Sequence, residues 1–313
     1  MRIGLMFSGQ GAQTVGMGED ICQAFPSALM LFQKADCILG YPLSRIAFKG
    51  PAEELMRTTV CQPALYVHGL ALLAAVRSAV PRFQIAAAAG LSLGEFTAHA
   101  AAGTFDFETG LRLVSRRAGF MREACERTKG RMAAIIGAEE DSVRDLAAVA
   151  NVDIANFNCP GQIILSGAEP KMALAISLAK KYGARKVVAL HVDGAFHSRL
   201  MESARQSFQD ELQLVPMDSP SVPVVCNADA RPVFDPEAIR SALAKQLVSS
   251  VRWMQSVECL LDHLQCNLLL ELGPGDVLAS LAKRIRKGTP MLSIYNRLSL
   301  QKALEILDYC SSP

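Results

Sequence analysis

The sequence predicts an α/β protein in two parts, a large unit built on a mainly parallel sheet and a small α+β unit set into it. Three observations predict this. Short apolar runs alternate with longer amphipathic stretches, as in helices packed on a largely parallel sheet. Each run ends close to Gly, Ser or Asn, which gathers the loops at the carboxyl edge of the sheet, where open α/β sheets bind ligands. The middle of the chain breaks the rhythm with strands in quick succession.

The first strand is 3–8, an apolar run closed by Ser8-Gly9. A long helical stretch lies at 64–79. A strand follows at 85–91, running into Ser92, and helices at 94–102 and 107–127. The middle segment reads as a strand at 132–136, a helix at 139–150 and a hairpin pair, 152–156 and 162–166, around Asn158-Cys159-Pro160-Gly161. A second helix at 169–182 and a strand at 186–190 complete it. The order β-α-β-β-α-β, over about 60 to 70 residues, is the ferredoxin-like unit. Beyond it come strands at 222–227, 267–272 and 291–295 and a helix at 257–265. The expected division is therefore 1–128 with 198–313 as the large domain and 129–197 as the inserted ferredoxin-like domain. No internal repeat or low-complexity segment is evident, and the tail from Cys310 to Pro313 is expected to fray.

Composition excludes several classes. The 313 residues suffice for roughly two domains, and 50% hydrophobic with 20% charged residues suits a sizeable core. The 32 Lys and Arg against 30 Asp and Glu leave +2, too little excess for a nucleic-acid binder that works through bulk charge. A single Trp and 6% aromatics disfavour a base-stacking platform. No apolar run of about 18 residues stands out, so no membrane-spanning helix is expected. The start, Arg2-Ile3-Gly4-Leu5-Met6-Phe7, reads as a strand and not as a signal core. Nine scattered cysteines without a CxxC pair suit reduced thiols in the cytoplasm and argue against disulfides or a zinc site. Neither metal nor cofactor is expected, and neither nucleic acid nor membrane as a partner.

Gly90-Leu91-Ser92-Leu93-Gly94 matches G-x-S-x-G between an expected strand and an expected helix. A tight strand-to-helix turn strains the serine, and small residues two before and two after allow the close backbone approach that the turn needs. The pattern reads as the nucleophile elbow of an α/β-hydrolase-like domain; the alternative is a plain Gly-Ser turn that closes a buried strand. Ser92 would stand at a helix N-terminus that favours developing negative charge, with the amide of Leu93 as a natural oxyanion donor. A serine nucleophile needs a base. Of five histidines, His68 and His263 lie in helical stretches with apolar neighbours and read as satisfied structural residues. His99, two turns past Ser92, is expected to point away, and His191 ends a strand. His197, in Asp193-Gly194-Ala195-Phe196-His197-Ser198, follows a glycine turn where the small unit returns to the large one, and a crossover loop there can reach the sheet edge.

Phe7-Ser8-Gly9-Gln10-Gly11-Ala12-Gln13 follows the first strand, and its flanking glycines let the Gln10 amide face the same edge as Ser92. It lacks the spacing of a phosphate-binding loop. Arg116 and Arg117 differ by about 100° around a helix, so one can face inward while the other is solvated. An inward arginine would bind a planar carboxylate through two parallel hydrogen bonds. By themselves the two read as an ordinary exposed pair.

Taken together these motifs resemble the malonyl-CoA:acyl carrier protein transacylases of fatty-acid synthesis and the acyltransferases of polyketide assembly lines, over about residues 3 to 300. The resemblance rests on the Gln10 loop, Gln62-Pro63-Ala64-Leu65, Gly90-Leu91-Ser92-Leu93-Gly94-Glu95, and Arg117 with Met121 one turn on. It continues through Asn156-Phe157-Asn158-Cys159-Pro160-Gly161-Gln162, Gly194-Ala195-Phe196-His197-Ser198 with Leu200-Met201, and Asn227-Ala228-Asp229-Ala230. Val251-Arg252-Trp253 and Gly273-Pro274-Gly275 close it. The resemblance implies Ser92 as the acylated nucleophile and His197 as its base. It implies Gln10 and Leu93 as oxyanion donors, and Arg117 as partner of the malonyl carboxylate. It also implies a backbone carbonyl orienting His197, with the matching loop around Ser250 and Arg252. Phe196 and Leu91 would line the acyl pocket. The ring of Phe196 resembles the malonyl-selective pattern, while Leu91 stands where the family commonly has histidine and bears on acyl-group preference.

The implied activity is ping-pong transfer of malonyl from malonyl-CoA to the pantetheine thiol of acyl carrier protein, supplying fatty-acid synthesis, by an enzyme that is a monomer by family default. Coenzyme A thioester is then a substrate and no cofactor is needed. A free-standing polyketide acyltransferase, a G-x-S-x-G serine hydrolase or thioesterase, and a non-catalytic docking subunit are the alternatives. Carrier proteins are acidic, so the basic runs Lys283-Arg284-Ile285-Arg286-Lys287 and Lys180-Lys181 with Arg185-Lys186 are candidate docking surfaces; such runs are also ordinary solvated helix ends.

Overall fold

The structure, a computed structural model, describes residues 1–309; the expectation for the tail from Cys310 lies outside the described residues. β1 (Ile3–Phe7) leads into α1 (Glu19–Ala24), α2 (Pro26–Leu39), α3 (Leu43–Lys49), α4 (Ala52–Met56) and α5 (Thr58–Ala79). Then come β2 (Ala87–Gly90), α6 (Leu93–Ala101) and α7 (Phe107–Arg127). The middle segment runs β3 (Gly130–Ile136), α8 (Glu140–Ala150), β4 (Asp153–Cys159), β5 (Gln162–Ala168), α9 (Glu169–Leu178) and β6 (Lys186–Ala189). It is followed by α10 (Glu202–Gln213), β7 (Val224–Val225), β8 (Pro232–Val233), α11 (Pro236–Gln246) and α12 (Trp253–Glu258). Last come β9 (Leu268–Leu272), α13 (Val277–Ile285), β10 (Met291–Ile294) and α14 (Arg297–Tyr309).

Two sheets organise these elements. The first has the order β10-β9-β1-β2-β7-β8, parallel except where β7 meets β8. The second, β4-β5-β3-β6, is antiparallel throughout and comes entirely from the segment between α7 and α10. β1 lies between β9 and β2 with all five residues buried. Cover on both faces is why it reads as an unbroken apolar run and not as an alternation. Phe7 registers with Gly90 on one side and Leu272 on the other. The turns that begin at Ser8, Leu91 and Gly273 therefore open together at one sheet edge.

Three expectations need correction. α5 starts at Thr58, ahead of the expected 64, because Pro63 does not end it. The carbonyl of Thr59, which a proline nitrogen cannot serve, instead accepts from Tyr41 Oη at 3.4 Å. The expected helix at 257–265 begins earlier, as α12, and continues from Cys259 to His263 as a π-helical turn. By length and composition α5 is apolar enough to cross a membrane, contrary to the sequence reading, with a window of mean hydropathy 1.5. That window is 89% buried inside the molecule. A helix apolar all round is what a central core helix requires as well.

Candidate active site

The elbow closes because two glycines let backbones touch. A Cβ on Gly90 would fall 1.9 Å from the carbonyl carbon of Gly94, and one on Gly94 would fall 2.1 Å from the oxygen of Phe7. Between them Ser92 adopts φ 53°, ψ −101°, a conformation that persists only when its surroundings over-determine it. They do. The Ser92 N–H donates to Asn227 Oδ1 at 2.7 Å, Asn227 Nδ2 donates to the Gly90 carbonyl at 2.8 Å, and Gln246 Nε2 donates to the Ser92 carbonyl at 2.8 Å.

Ser92 Oγ lies 2.7 Å from His197 Nε2 and accepts from Arg117 Nη2 at 3.0 Å. The structure thus brings residues from α6, α7 and the crossover loop to one point. His197 also has a positive φ, 55°, and its Nδ1 lies 2.9 Å from the main-chain carbonyl of Gln246. The orienting carbonyl was expected in the loop around Ser250 and Arg252. The nearest carbonyl is that of the last residue of α11, because the carbonyls of a helix's final turn have no partner within the helix. The backbone of Ser249, in the expected loop, acts on the imidazole in the same direction as Gln246. A carbonyl only accepts, so it fixes the proton on Nδ1 and leaves Nε2 to receive the serine proton. Burial first, then the charge of Arg117, pushes the imidazole down to about 4, which keeps it neutral at ordinary pH.

Arg117 is fully buried, whereas Arg116 pairs with Glu211 at the surface. Arg117 Nη1 donates to Gln62 Oε1 at 2.7 Å and Nη2 to Gln246 Oε1 at 2.9 Å; Nε has no partner. Burial lowers its pKa to about 10, so it stays charged. Gln10 is held through its side chain, Nε2 donating to Thr58 Oγ1 at 3.1 Å. Its loop rests on the elbow, since a Cβ on Gly9 would fall 2.3 Å from the Leu91 carbonyl. Glu271 in β9 anchors the same loop, accepting from Ser8 Oγ at 3.2 Å and from the amides of Leu278 and Ala279 at 2.9 Å each.

Gln10, Leu91, Ser92, Leu93, Phe196 and His197 line one cavity of about 260 Å³. Met132, Ala134, Asn156, Asn158, Ile164 and Leu190 of the antiparallel segment form its opposite wall. Asn158 is buried there and its Oδ1 has no partner. A larger cavity of about 560 Å³, lined by Arg185, Arg284 and Cys159, contains none of the groups around Ser92. Among the described residues no three His, Cys, Asp or Glu side chains are placed to hold a metal ion.

The other four histidines make no hydrogen bond to Ser92. His99 Nδ1 lies 2.9 Å from Thr104 Oγ1, and His191 and His263 are exposed. His68 is buried without a partner at either ring nitrogen, against the expectation that it is satisfied, and burial pushes it down to about 4. In the basic run, Arg284 donates to Gln162 Oε1 and the Pro160 carbonyl, and Arg286 pairs with Asp262. Lys180 and Lys181 are exposed beyond the end of α9.

Sequence reasoning missed Gln246 altogether and gave Gln62, Glu95 and Asn227 no role beyond motif letters. Nothing local marks Gln246, whose importance depends on where α11 ends. Glu95 is fully buried in α6. Its Oε2 accepts from the Asn227 N–H at 3.0 Å and from Gln246 Nε2 at 2.6 Å, its Oε1 has no partner, and burial lifts its pKa to about 7.

A hydroxyl against a neutral imidazole, at a helix N-terminus and beside a buried guanidinium, suits nucleophilic attack on an acyl group that carries a carboxylate. Comparison with known proteins agrees in kind. Residues 5–285 match the family model described as acyl transferase domain. The chain is 37% identical over 309 residues to the malonyl CoA-acyl carrier protein transacylase of Escherichia coli K12, covering 96% of this chain and 98% of that one. It is 39% identical over 293 residues to the polyketide biosynthesis malonyl CoA-acyl carrier protein transacylase BaeC of Bacillus velezensis, covering 91% and 96%. Among solved structures, the malonyl CoA-acyl carrier protein transacylase of Coxiella burnetii superposes with a TM-score of 0.94 at 32% identity, covering 98% of each chain.

Proposed function

The chain belongs to the malonyl CoA-acyl carrier protein transacylases of the acyl transferase domain family, and from that premise we propose the following chemistry for its site. The enzyme transfers malonyl from malonyl-CoA to the thiol of acyl carrier protein. Ser92 Oγ attacks the thioester carbonyl while His197 Nε2 takes its proton. The amides of Gln10 and Leu93 hold the tetrahedral oxyanion. The carbon–sulfur bond then breaks, and the departing coenzyme A sulfur takes the proton from His197. In the second half the pantetheine thiol gives its proton to His197 as its sulfur attacks the malonyl-serine ester, and Ser92 leaves with that proton returned to its oxygen. Arg117 pairs with the free carboxylate, selecting a dicarboxylic acyl group and holding its carbonyl near Ser92.

The observation that carries this reading is the buried Arg117 guanidinium 3.0 Å from Ser92 Oγ. A simple serine hydrolase has no use for a buried cation at the nucleophile. Phe196 and Leu91 line the acyl pocket, where the ring of Phe196 leaves little room for an α-methyl group. We read the parallel-sheet part, 1–128 with 198–313, as an α/β-hydrolase-like domain and 129–197 as an inserted ferredoxin-like domain. We read the chain as a cytoplasmic, monomeric enzyme that needs no cofactor; the eight described cysteines, all free, support the cytoplasmic part of that reading. Supply of fatty-acid synthesis is the first reading of its place. Similarity to a transacylase of polyketide biosynthesis supports the second. Release of coenzyme A from malonyl-CoA, followed with and without pantetheinylated carrier protein, tests the activity. Release that depends on the carrier protein is expected, and equally fast release without it would establish a hydrolase.

A further inference from the structure

The acyl-transfer mechanism uses every charged group around Ser92 except one, Glu95. This carboxyl has no exposed surface and lies in the first turn of α6. Its Oε2 receives two N–H groups, the main chain of Asn227 and Nε2 of Gln246. Both of those residues grip the elbow, Asn227 through the Ser92 N–H and the Gly90 carbonyl, Gln246 through the Ser92 carbonyl. Gln246 also reaches the other two partners of Ser92. Its Oε1 accepts from Arg117 Nη2, and its main-chain carbonyl faces His197 Nδ1. A side-chain amide can be turned over, and here the two orientations are unequal. Turned over, its nitrogen would meet the guanidinium, and its oxygen would meet both the Ser92 carbonyl and the Glu95 carboxyl, all like against like. Glu95, an acceptor at 2.6 Å, helps decide the orientation.

Glu95 also carries the negative charge felt by Arg117. The charged and titratable groups around it are Arg117 on α7, which favours its ionised form, and Asp229 after β7, which opposes it. The Cys226 thiol lies within its field, and Gln246 on α11 is neutral. A carboxylate arriving at Arg117 meets a site that already holds one.

We propose that Glu95 is a positioning residue of the acyl-transfer site, setting the Gln246 amide on which Ser92, His197 and Arg117 converge, and that its charge competes with the substrate carboxylate for Arg117. This rests on the acyl-transfer reading above. Proton uptake at Glu95 and carboxylate binding at Arg117 then favour each other, and the coupling is reciprocal. Burial already holds Glu95 near neutrality, at about 7, so the competition grows as pH rises through that value.

The test compares the parent with Glu95→Gln and Glu95→Ala, following malonyl uptake from malonyl-CoA by intact mass under single-turnover conditions at a series of pH values. In the parent, the malonyl-CoA concentration for half-maximal rate is expected to rise at least ~5-fold as pH passes upward through about 7. Glu95→Gln keeps an acceptor for both N–H groups and places its new NH2 where Oε1 has no partner, so its maximal rate is expected near the parent's with that rise abolished. Glu95→Ala frees the Gln246 amide and is expected to lower the maximal rate by ~10²-fold. A Glu95→Gln profile that follows the parent's overturns the competition. A Glu95→Ala maximal rate equal to the parent's overturns the positioning role. Should Glu95→Ala fail to fold, Glu95→Gln decides the competition and Glu95→Met, which fills the space without an acceptor, decides the positioning by the same rate comparison. A parent that takes up no malonyl mass overturns the acyl-transfer reading itself, and the role of Glu95 with it.

Discussion

Two regions of this molecule face each other across one small cavity, one dense in mutually bonded polar groups and the other mostly apolar. On the parallel-sheet side, Ser92, Asn227, Gln246, Glu95, Arg117 and His197 hold one another in a connected set of hydrogen bonds, in which only Arg117 Nε and Glu95 Oε1 are buried without a partner. On the antiparallel side the wall is mostly apolar, and its buried Asn158 Oδ1 is bonded to nothing. A set that must keep a nucleophile, its base and a guanidinium aligned gains from having its partners fixed beforehand. A mostly apolar wall with a free acceptor is suited to a ligand that brings its own hydrogen-bonding groups. The comparison teaches where chemistry ends and recognition begins: losses on the first side should appear in rate, and losses on the second in the concentration needed.

Substitutions on the parallel-sheet side should produce the largest effects. Ser92→Ala is expected to reduce transfer by at least ~10⁴-fold in a coenzyme A release assay, with the melting temperature little changed. Arg117→Ala should slow malonyl loading by ~10²-fold or more, and the same variant given acetyl-CoA should show that the loss depends on the carboxylate. A loss equal for both acyl groups would assign Arg117 to the architecture of the elbow alone. Gly90→Ala forces a methyl into the Gly94 backbone at 1.9 Å and should cost about 3 kcal/mol in a urea unfolding experiment.

Acid separates the two sides differently. His197 binds its proton at about 4 in the folded protein against 6.5 ordinarily, so the unfolded chain binds more protons between those values. Stability should therefore fall as pH drops from about 6.5 to about 4; His68, down at about 4, and His99, at about 3, add to the same slope, and Glu95, lifted to about 7, offsets part of it. Denaturation midpoints across that window measure it. The imidazole should meanwhile remain an effective base at a pH where an ordinary histidine is half protonated. The smallest effect is expected from Asn158→Ala, which removes one neutral hydrogen-bonding group: a rise of ~3- to 10-fold in the Michaelis constant for malonyl-CoA with turnover unchanged. A large loss of turnover in this variant would erase the distinction between the two regions.

Features with short-range causes were legible in the sequence. The buried strands show as unbroken apolar runs, and Gly90 of the elbow marks a contact with the nearby Gly94. The middle segment announced its strands and helices nearly in register because each hairpin and helix is closed by local turns. Features with long-range causes were not legible. Gln246 matters because α11 happens to end beneath His197, and Glu95 because a loop after β7 and the end of α11 both turn their amides toward it. The true start of α5, ahead of the expected 64, depends on the Tyr41 hydroxyl, which serves the carbonyl orphaned by Pro63 from the loop between α2 and α3. His68 looked satisfied only because nothing nearby in the chain shows how completely α5 is enclosed.

The most direct test of the central claim is the intact mass of the protein after mixing with malonyl-CoA, with Ser92→Ala as control. A malonyl adduct on the parent, absent from the control and discharged by pantetheinylated carrier protein, is the predicted result. An adduct that persists in Ser92→Ala, or no adduct on the parent with any acyl-CoA, would contradict it.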